Sequence, residues 1–394
     1  MQPIFEPGST IGVLGGGQLG AMFTEAARCM GYQAVVWDPD PNAPAHRVAD
    51  QSLSTPFTDH ETRERFVEMV QAITLEWENI PTDLCEWLEQ RRPLRPSGAI
   101  LRVLQDRLEQ KQFLSSLSLP VAEFAEVQSG QQLHHAVNRL GFPLICKTAR
   151  NGYDGKGQWL FRQPSDVTQF EQILATISSG ARWIAEQYIP FVRELSVLVV
   201  RSASGETRVY PVVENRHEQG VLRVSLVPAP ISSLDAETAR ELSVGAVVAL
   251  QGVGVFCVEL FQIQDGRLYI NEIAPRPHNS GHYTLDACTV SQFEQQVRVT
   301  CGLPLGEVRL LSAAAMVNLL GDEIAAVTSG QGCREIFSTP GASVHLYGKR
   351  VIRPGRKMGH VTFTASDAEI AVASAQHFMS LFHNPPSAGP VPYR

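Results

Sequence analysis

The chain has 394 residues, 44% of them hydrophobic and 19% charged, the composition of a folded protein of two or three domains and not of a disordered chain. Lysine and arginine number 33 against 40 aspartates and glutamates, a formal charge of −7 that speaks against a nucleic-acid scaffold or an anionic-membrane binder while leaving room for a local basic pocket. The seven cysteines (29, 85, 146, 257, 288, 301 and 333) are odd in number and form no CxxC, so they read as free thiols of a cytoplasmic protein.

Met1 to Ser9 lacks a basic region followed by an apolar core, so no signal peptide is expected. Thr10–Leu14 reads as a strand, Gln18–Met30 as a helix and Gln33–Trp37 as a second strand, a βαβ beginning. Between the first strand and its helix lies Gly15-x-Gly17-x-x-Gly20, and Asp38 follows eighteen residues after the last glycine. Context and spacing meet the dinucleotide fingerprint, in which glycines permit a tight turn and the helix N-terminus faces an anion. Taken alone, this motif supports an NAD-dependent oxidoreductase. The same turn also serves other phosphorylated ligands, or simply packs a helix on a strand. The rest of the chain does not look like a hydride-transfer domain. A helix over Thr62–Gln71, a strand over Ala72–Leu75 and the polar turn Glu76-Trp77-Glu78-Asn79 continue the alternation that argues for a parallel sheet. One helix is expected from Ser97 to Leu117, ending at Pro120 near the exit from the first domain.

From Val121 the pattern turns to α+β. Strands Ala122–Val127, Leu144–Thr148 and Gln158–Phe161 alternate with helices Gly130–Leu140 and Ser165–Ile177. Strands Trp183–Tyr188, Leu195–Arg201, Thr207–Val213 and Val221–Leu226 then precede a helix over Asp235–Leu250. Val244–Phe261, the most apolar long stretch, is broken at Gln251-Gly252 and carries Glu259, so it is no membrane span. Within the middle region, Ala149–Gly157 is a second glycine-rich loop between two strands, preceded by Lys147. It lacks the Gly-Lys-Ser/Thr ending of a P-loop, and reads as a flap whose N–H groups and lysine fold over a polyphosphate, or as a flexible hairpin.

A hairpin, Val255–Ile263 with Arg267–Ile273, turns at Gln264-Asp265-Gly266. It places Glu259 and Glu272 in apolar strands, where a carboxylate is costly unless paired or coordinated. With Asn271 they form an oxygen-only set suited to Mg²⁺ and nucleotide phosphates; the alternative is a wet face with solvated glutamates. His278 and His282 are four apart, but two prolines and a Ser-Gly forbid a regular helix there and disfavour zinc. Arg276, just past the second strand, is placed to neutralise developing phosphoryl charge. The last segment reads as strands Ala313–Leu319, Ser343–Tyr347 and His360–Thr364, a helix over Asp367–Leu381 and an irregular proline-rich tail from Asn384.

Taken in order, GGGQLG (15–20), DPDPNAPA (38–45), EWENIP (76–81), DRLEQK (106–111), GYDGKGQ (152–158), RELSV (193–197), NRHEQGVL (215–222), INEIAPRPHNSGH (270–282) and RPGRKMGH (353–360) resemble the ATP-grasp superfamily, and within it the ATP-dependent ribonucleotide carboxylases of purine biosynthesis. One departure is Trp77, where the pattern has phenylalanine. The resemblance implies an α/β and α+β chain with an ATP-grasp fold. A Rossmann-like, ribonucleotide-binding domain would span 1–110, the ATP-grasp domain 111–305 and a small C-terminal domain 306–394.

It also implies roles for residues. Arg107 and Lys147 would touch nucleotide phosphates, under a flap of Gly152, Tyr153, Asp154, Gly155, Lys156, Gly157 and Gln158. Glu186, Gln187, Tyr188 and Ile189 would hold adenine, Glu194 the ribose, and His217 would lie beside them. Glu259 and Glu272 would bind Mg²⁺ next to Asn271, with Arg276, Lys147, Tyr153 and Asp154 as the catalytic set. Gln18, Leu19, Glu76, Asn79, Asn279, Lys349, Arg356 and Lys357 would line the ribonucleotide site. The implied reaction is carboxylation of aminoimidazole ribonucleotide by bicarbonate and ATP, through carboxyphosphate, in a homodimer acting on small molecules, with no nucleic-acid or membrane partner and a possible handover to a mutase. A formate-using transformylase of the same architecture and a non-catalytic homologue are the alternatives within the superfamily.

Overall fold

A computed structural model describes residues 3–152, 157–168, 170 and 182–383. Strands Thr10–Leu14 (β1), Gln33–Trp37 (β2), Gln51–Leu53 (β3), Ala72–Leu75 (β4) and Leu94–Arg95 (β5) form a sheet in the order β3-β2-β1-β4-β5. Its pairings are parallel. β4 is buried along its whole length, as a parallel strand covered on both faces should be. The order reverses between β2 and β4 around β1, so the carboxyl ends of β1 and β4 flank the crevice where open α/β sheets bind ligands. Gly15–Gly17 and Glu76 sit at those two ends.

The stretch expected as one helix from Ser97 to Leu117 is two, Gly98–Leu104 and Arg107–Ser116. Asp106 starts the second, its side chain accepting from the N–H groups of Leu108 and Glu109. A capping aspartate competes with the helix for these donors, which favours a new start over continuation.

Strands Phe124–Val127 (β6), Leu144–Thr148 (β7), Gln158–Phe161 (β8) and Trp183–Gln187 (β9) form an antiparallel sheet ordered β6-β9-β7-β8. Its Trp183 packs with Leu133, Ala136 and Phe170. Of the helix expected over Ser165–Ile177, residues 165–168 are helical and most of the remainder lies outside the described residues.

The largest sheet comprises Phe191–Arg201 (β10), Thr207–Val209 (β11), Val213–Glu218 (β12), Val221–Val227 (β13), Gly254–Ile263 (β14), Leu268–Ala274 (β15), Ala313–Leu320 (β16), Ala342–Leu346 (β17) and Lys357–Ala365 (β18). Its order is β15-β14-β10-β12-β13-β16-β18-β17, with β11 beside β10. The expected strand Thr207–Val213 is therefore split, and Pro211, which has no N–H to give a ladder, lies between the halves. Because β13 pairs with β16, this sheet runs unbroken through the boundary expected at 305/306. Helix Ser233–Ala249 covers one face, packing Ala239, Ala246 and Val247 on Val197, Phe256 and Val258. Among the described residues no helix is long and apolar enough to cross a membrane.

Candidate active site

The site begins where β9 leaves the small sheet and the chain enters β10 of the large one. Glu186, on β9, is almost fully buried. Lys147 on neighbouring β7 places its Nζ 2.5 Å from Glu186 Oε2, and Lys111, from helix Arg107–Ser116, places its Nζ 3.0 Å from Oε1. Lys111 also donates to the Ile270 carbonyl at 3.2 Å. Burial alone would raise the Glu186 pKa, but the two ammonium groups, Lys111 ahead of Lys147, bring it down to about 2. Each carboxylate oxygen thus faces an ammonium group, and this side chain braces Lys147.

In the segment expected to carry adenine, the Gln187 N–H donates to Glu123 O at 2.8 Å and the Tyr188 N–H to Pro143 O at 3.1 Å, while Ile189 is buried. Glu194 and His217, on adjacent β10 and β12, meet at 3.0 Å.

Arg107 ties the second glycine loop to the carboxylate strands. It donates to Gly152 O at 2.9 Å and Thr148 O at 3.3 Å, and lies 3.5 Å from Glu272 Oε2. Tyr153, Asp154, Gly155 and Lys156 lie outside the described residues; Gly157 and Gln158 enter β8.

Glu259 and Glu272 stand directly opposite each other on β14 and β15. Opposed residues of an antiparallel pair share a face, so both carboxylates project to one side. The register shifts just beyond them, leaving Asn271 as the additional residue, a bulge that re-aims the side chains around it. His278 Nε2 lies 3.1 Å from Glu259 Oε1. Burial would raise Glu259, but His278, ahead of His217 and Arg276, lowers it to about 2. Burial would push the His278 imidazole down, yet the Cys257 sulfur and the Glu259 carboxylate raise it to about 10. The histidine that sequence reasoning weighed only as a zinc ligand thus lies beside the carboxylate pair, its Nδ1 accepting the Ser280 N–H at 3.3 Å and its Nε2 facing Glu259.

Arg276 makes a two-armed pair with Glu78, Nη2 lying 3.0 Å from Oε1 and Nε bonding Oε2. Burial works against both charges, but Arg276 holds Glu78 below the usual carboxylate range. This pair joins the turn after β4 to the segment after β15. Glu78 was not among the expected site residues, although it lies in the EWENIP stretch.

The first glycine loop is closed by the protein's own carboxylates. Gly17 and Gly20 donate to Glu76 at 2.7 and 3.1 Å, and Gly16 donates to Asp38 at 2.6 Å. A pyrophosphate would need these same N–H groups, and Asp38 caps the loop instead of reaching a ribose. The nicotinamide reading is therefore set aside. Burial raises the Glu76 pKa against these two donors.

The remaining expected ribonucleotide residues gather between the first domain and the β17–β18 turn. Gln18 opens helix Gln18–Cys29 and Asn79 lies half-buried in the turn after β4. Leu19 points into a core shared with Phe293 and Tyr347, so only its backbone can face a ligand. Asn279 is buried and exchanges hydrogen bonds with Asn318 at 3.1 and 2.6 Å, which makes its amide a brace. Lys349 donates to Lys357 O at 2.8 Å and lies 5.4 Å above the Tyr347 ring, and Arg356 donates to Val351 O at 2.7 Å. Arg350 reaches Asn42 Oδ1 of the first domain at 2.7 Å, bringing this cationic turn against the glycine-loop side.

Among the described residues, Asp286, His345 and His360 form a further group of potential metal donors. The His345 and His360 rings are stacked, with centroids 4.5 Å apart at 15°, and His345 Nε2 is already 3.0 Å from Asp286. Stacked rings aim their in-plane lone pairs alongside each other, not at one ion.

Three family models match the chain: the ribonucleotide synthetase preATP-grasp domain over residues 9–105, the ATP-grasp domain over 112–293 and the phosphoribosylaminoimidazole carboxylase C-terminal domain over 314–374. The N5-carboxyaminoimidazole ribonucleotide synthase of Bacillus subtilis is 42% identical over 360 residues, covering 91% of this chain and 92% of that relative. A solved N5-carboxyaminoimidazole ribonucleotide synthetase with ADP superposes with a TM-score of 0.91 at 40% identity, over 98% of this chain and all of the other. The Aspergillus clavatus synthase in complex with ADP and 5-aminoimidazole ribonucleotide gives 0.86 at 31% identity, over 96% and 99% of the two chains.

Proposed function

The chain belongs to the N5-carboxyaminoimidazole ribonucleotide synthases of the ATP-grasp superfamily, and from that premise we propose how its residues divide the work of carboxylating 5-aminoimidazole ribonucleotide with bicarbonate at the expense of ATP. The observation that carries the proposal is the opposed pair Glu259–Glu272, with Asn271 beside it, set among Lys147, Arg107 and Arg276. Oxygen donors on one sheet face suit a hard divalent cation completed by phosphate oxygens, so Glu259, Glu272 and Asn271 fit Mg²⁺. When bound, that ion would screen the charge of the nucleotide phosphates.

Phosphoryl transfer asks the protein chiefly for positioning and charge. Lys147, held from below by Glu186, and Arg107 receive the phosphates. Arg276, paired with Glu78, meets the charge that develops when bicarbonate attacks the γ-phosphate, breaking its bond to the β-phosphate oxygen, so that carboxyphosphate forms and ADP leaves. Lys349, Arg356 and Lys357 hold the ribonucleotide 5′-phosphate through charge-assisted hydrogen bonds and present its exocyclic amine to the activated carboxylate. Tyr153 and Asp154 keep the catalytic place that the resemblance gives them. The seven free cysteines agree with a cytoplasmic enzyme, and the family resemblance supports a homodimer that passes its unstable product to a mutase.

The test is phosphate release from ATP, measured with each substrate omitted in turn. Release that requires aminoimidazole ribonucleotide and bicarbonate together supports the reading. Release that requires formate and glycinamide ribonucleotide overturns it in favour of the transformylase.

A further inference from the structure

Asp106 lies at the exit from the first domain and is completely buried. Its Oδ1 accepts from the N–H groups of Leu108 at 3.0 Å and Glu109 at 3.4 Å, which is ordinary helix capping. Its Oδ2 does something a cap does not need: it accepts from Arg150 Nε at 3.0 Å and Arg182 Nη1 at 3.2 Å. The backbone repeats this junction, because the Arg107 N–H donates to Ala149 O at 2.8 Å and the Ala149 N–H to Arg182 O at 3.0 Å.

One carboxylate therefore joins three chain segments. The first starts the helix that carries Arg107 and Lys111. The second follows β7, which carries Lys147. The third leads into β9, which carries Glu186. The cations assigned to the nucleotide phosphates, and the carboxylate that anchors one of them, all lie one to five residues from this junction, yet Asp106 touches none of their side chains in any hydrogen bond or ion pair described above. A buried carboxylate is costly unless fully paired, and here the two Oδ2 pairings join the segment that carries Arg107 to those that carry Lys147 and Glu186.

We propose that Asp106 is a positioning residue for nucleotide binding. It sets the separation of Arg107 and Lys147 by clamping the segments that carry them, and this rests on the assignment of ATP to that end of the site. Capping and clamping are separable by substitution, because asparagine caps a helix as well as aspartate but has no charge to hold two arginines.

The experiment measures steady-state kinetics and thermal unfolding of the full chain with Asp106→Asn, Arg150→Met, the double variant and Glu109→Gln. Asp106→Asn should raise the KM for ATP about tenfold while kcat and the KM for the ribonucleotide stay within about twofold, a loss of uniform binding. Arg150→Met should raise the same KM, and the double variant should be no worse than Asp106→Asn, since both remove one contact. Glu109→Gln, which removes only the outer 3.4 Å contact of Arg182, should behave as wild type. An ATP KM within twofold of wild type for Asp106→Asn, or additive effects in the double variant, overturns the proposal. If Asp106→Asn fails to fold, the half-exposed Arg150→Met decides alone, and an unchanged ATP KM there overturns it. A wild-type chain that turns over no ATP with its ribonucleotide and bicarbonate would instead remove the underlying assignment of ATP.

Discussion

Glu259 and Glu186 are both carboxylates lodged among apolar strand residues, and they are paired for different ends. Glu259 faces Glu272 and takes the His278 Nε2 at 3.1 Å, a contact that lowers its pKa against the burial that would raise it. Glu259→Gln and Glu272→Gln should each cut ATP-dependent phosphate release by at least about a hundredfold, the scale of losing cation charge stabilisation, while thermal unfolding stays close to wild type. Retained turnover in either variant would remove the carboxylate pair from the mechanism. Glu186, by contrast, is braced by Lys111 and Lys147, and its folded-state pKa near 2 lies below the ordinary 4.5. Its contribution is therefore present above pH 4.5 and is lost as pH falls toward 2, at most about 3 kcal/mol. The stability gap between wild type and Glu186→Gln, read from urea titrations, should narrow steadily from pH 5 to pH 3. A gap that does not depend on pH would mean the Glu186 pKa is the same in the folded and the unfolded chain. Glu259 and Glu272 stand out in the sequence because a carboxylate in an apolar strand signals itself, and Lys147 because it leads into a glycine-rich loop. Lys111 does not, because its partner is 75 residues away and its own helix reads as an ordinary polar surface.

At the scale of the element, the glycine loop after β1 shows how one sequence pattern can serve two ends. Gly15 gives the turn, with the left-handed φ of 93° that favours glycine, and Gly17 and Gly20 turn their N–H groups to the loop's mouth as the fingerprint promises. What fills the donors is Glu76, from the end of β4, and a Cβ placed on Gly17 would lie 2.7 Å from its carboxylate. Glu76→Ala should leave both N–H groups without their partner and cost about 1–3 kcal/mol, measured by urea denaturation. It should also weaken ribonucleotide binding, since the loop loses its brace. A variant as stable as wild type would show that water replaces the carboxylate at no cost. Helix Gln292–Cys301 escaped the sequence reading for a related reason. Its buried face includes Gln292, Gln295 and Gln296, and glutamines look solvent-facing until their tertiary partners are known.

At the scale of the whole molecule, the first domain is fastened to the grasp domain through that same helix. Gln296 donates to Thr74 Oγ1 at 3.0 Å and Leu75 O at 3.1 Å. Arg95, on β5, reaches the Val299 carbonyl at 2.5 Å and that of Thr300 at 3.3 Å, where the helix end carries partial negative charge. The Arg276–Glu78 pair makes a third fastening. Arg95→Met should take the guanidinium from both carbonyls, of which only Val299 O keeps a backbone donor in Gly302, and lower stability by about 2 kcal/mol. Scanning calorimetry should then resolve an earlier transition for residues 3–105. One undivided transition at the wild-type temperature would show that the interface does not depend on Arg95. The far end of the molecule is joined differently, by β13–β16 pairing, so the C-terminal residues extend the large sheet and bring Lys349, Arg356 and Lys357 toward the first domain.

The net charge of −7 spoke against a nucleic-acid scaffold, and the ordered motifs named the superfamily and pointed to the charged residues proposed for the site. Those conclusions depend on residue type and local spacing: a glycine that a turn requires, a carboxylate where only coordination makes it tolerable, and strands and helices whose periodicity is their own. The tertiary structure alone decided which charge answers which. It closed the glycine loop with Glu76, split a helix at Asp106, joined Arg276 to Glu78 across a domain boundary and ran one sheet through another expected boundary. Each of these is a pairing between segments distant in the chain, and a buried charge or N–H group takes whichever partner the fold brings within 3 Å. Local sequence shows that such a partner is required, but the packing of sheets and helices selects it.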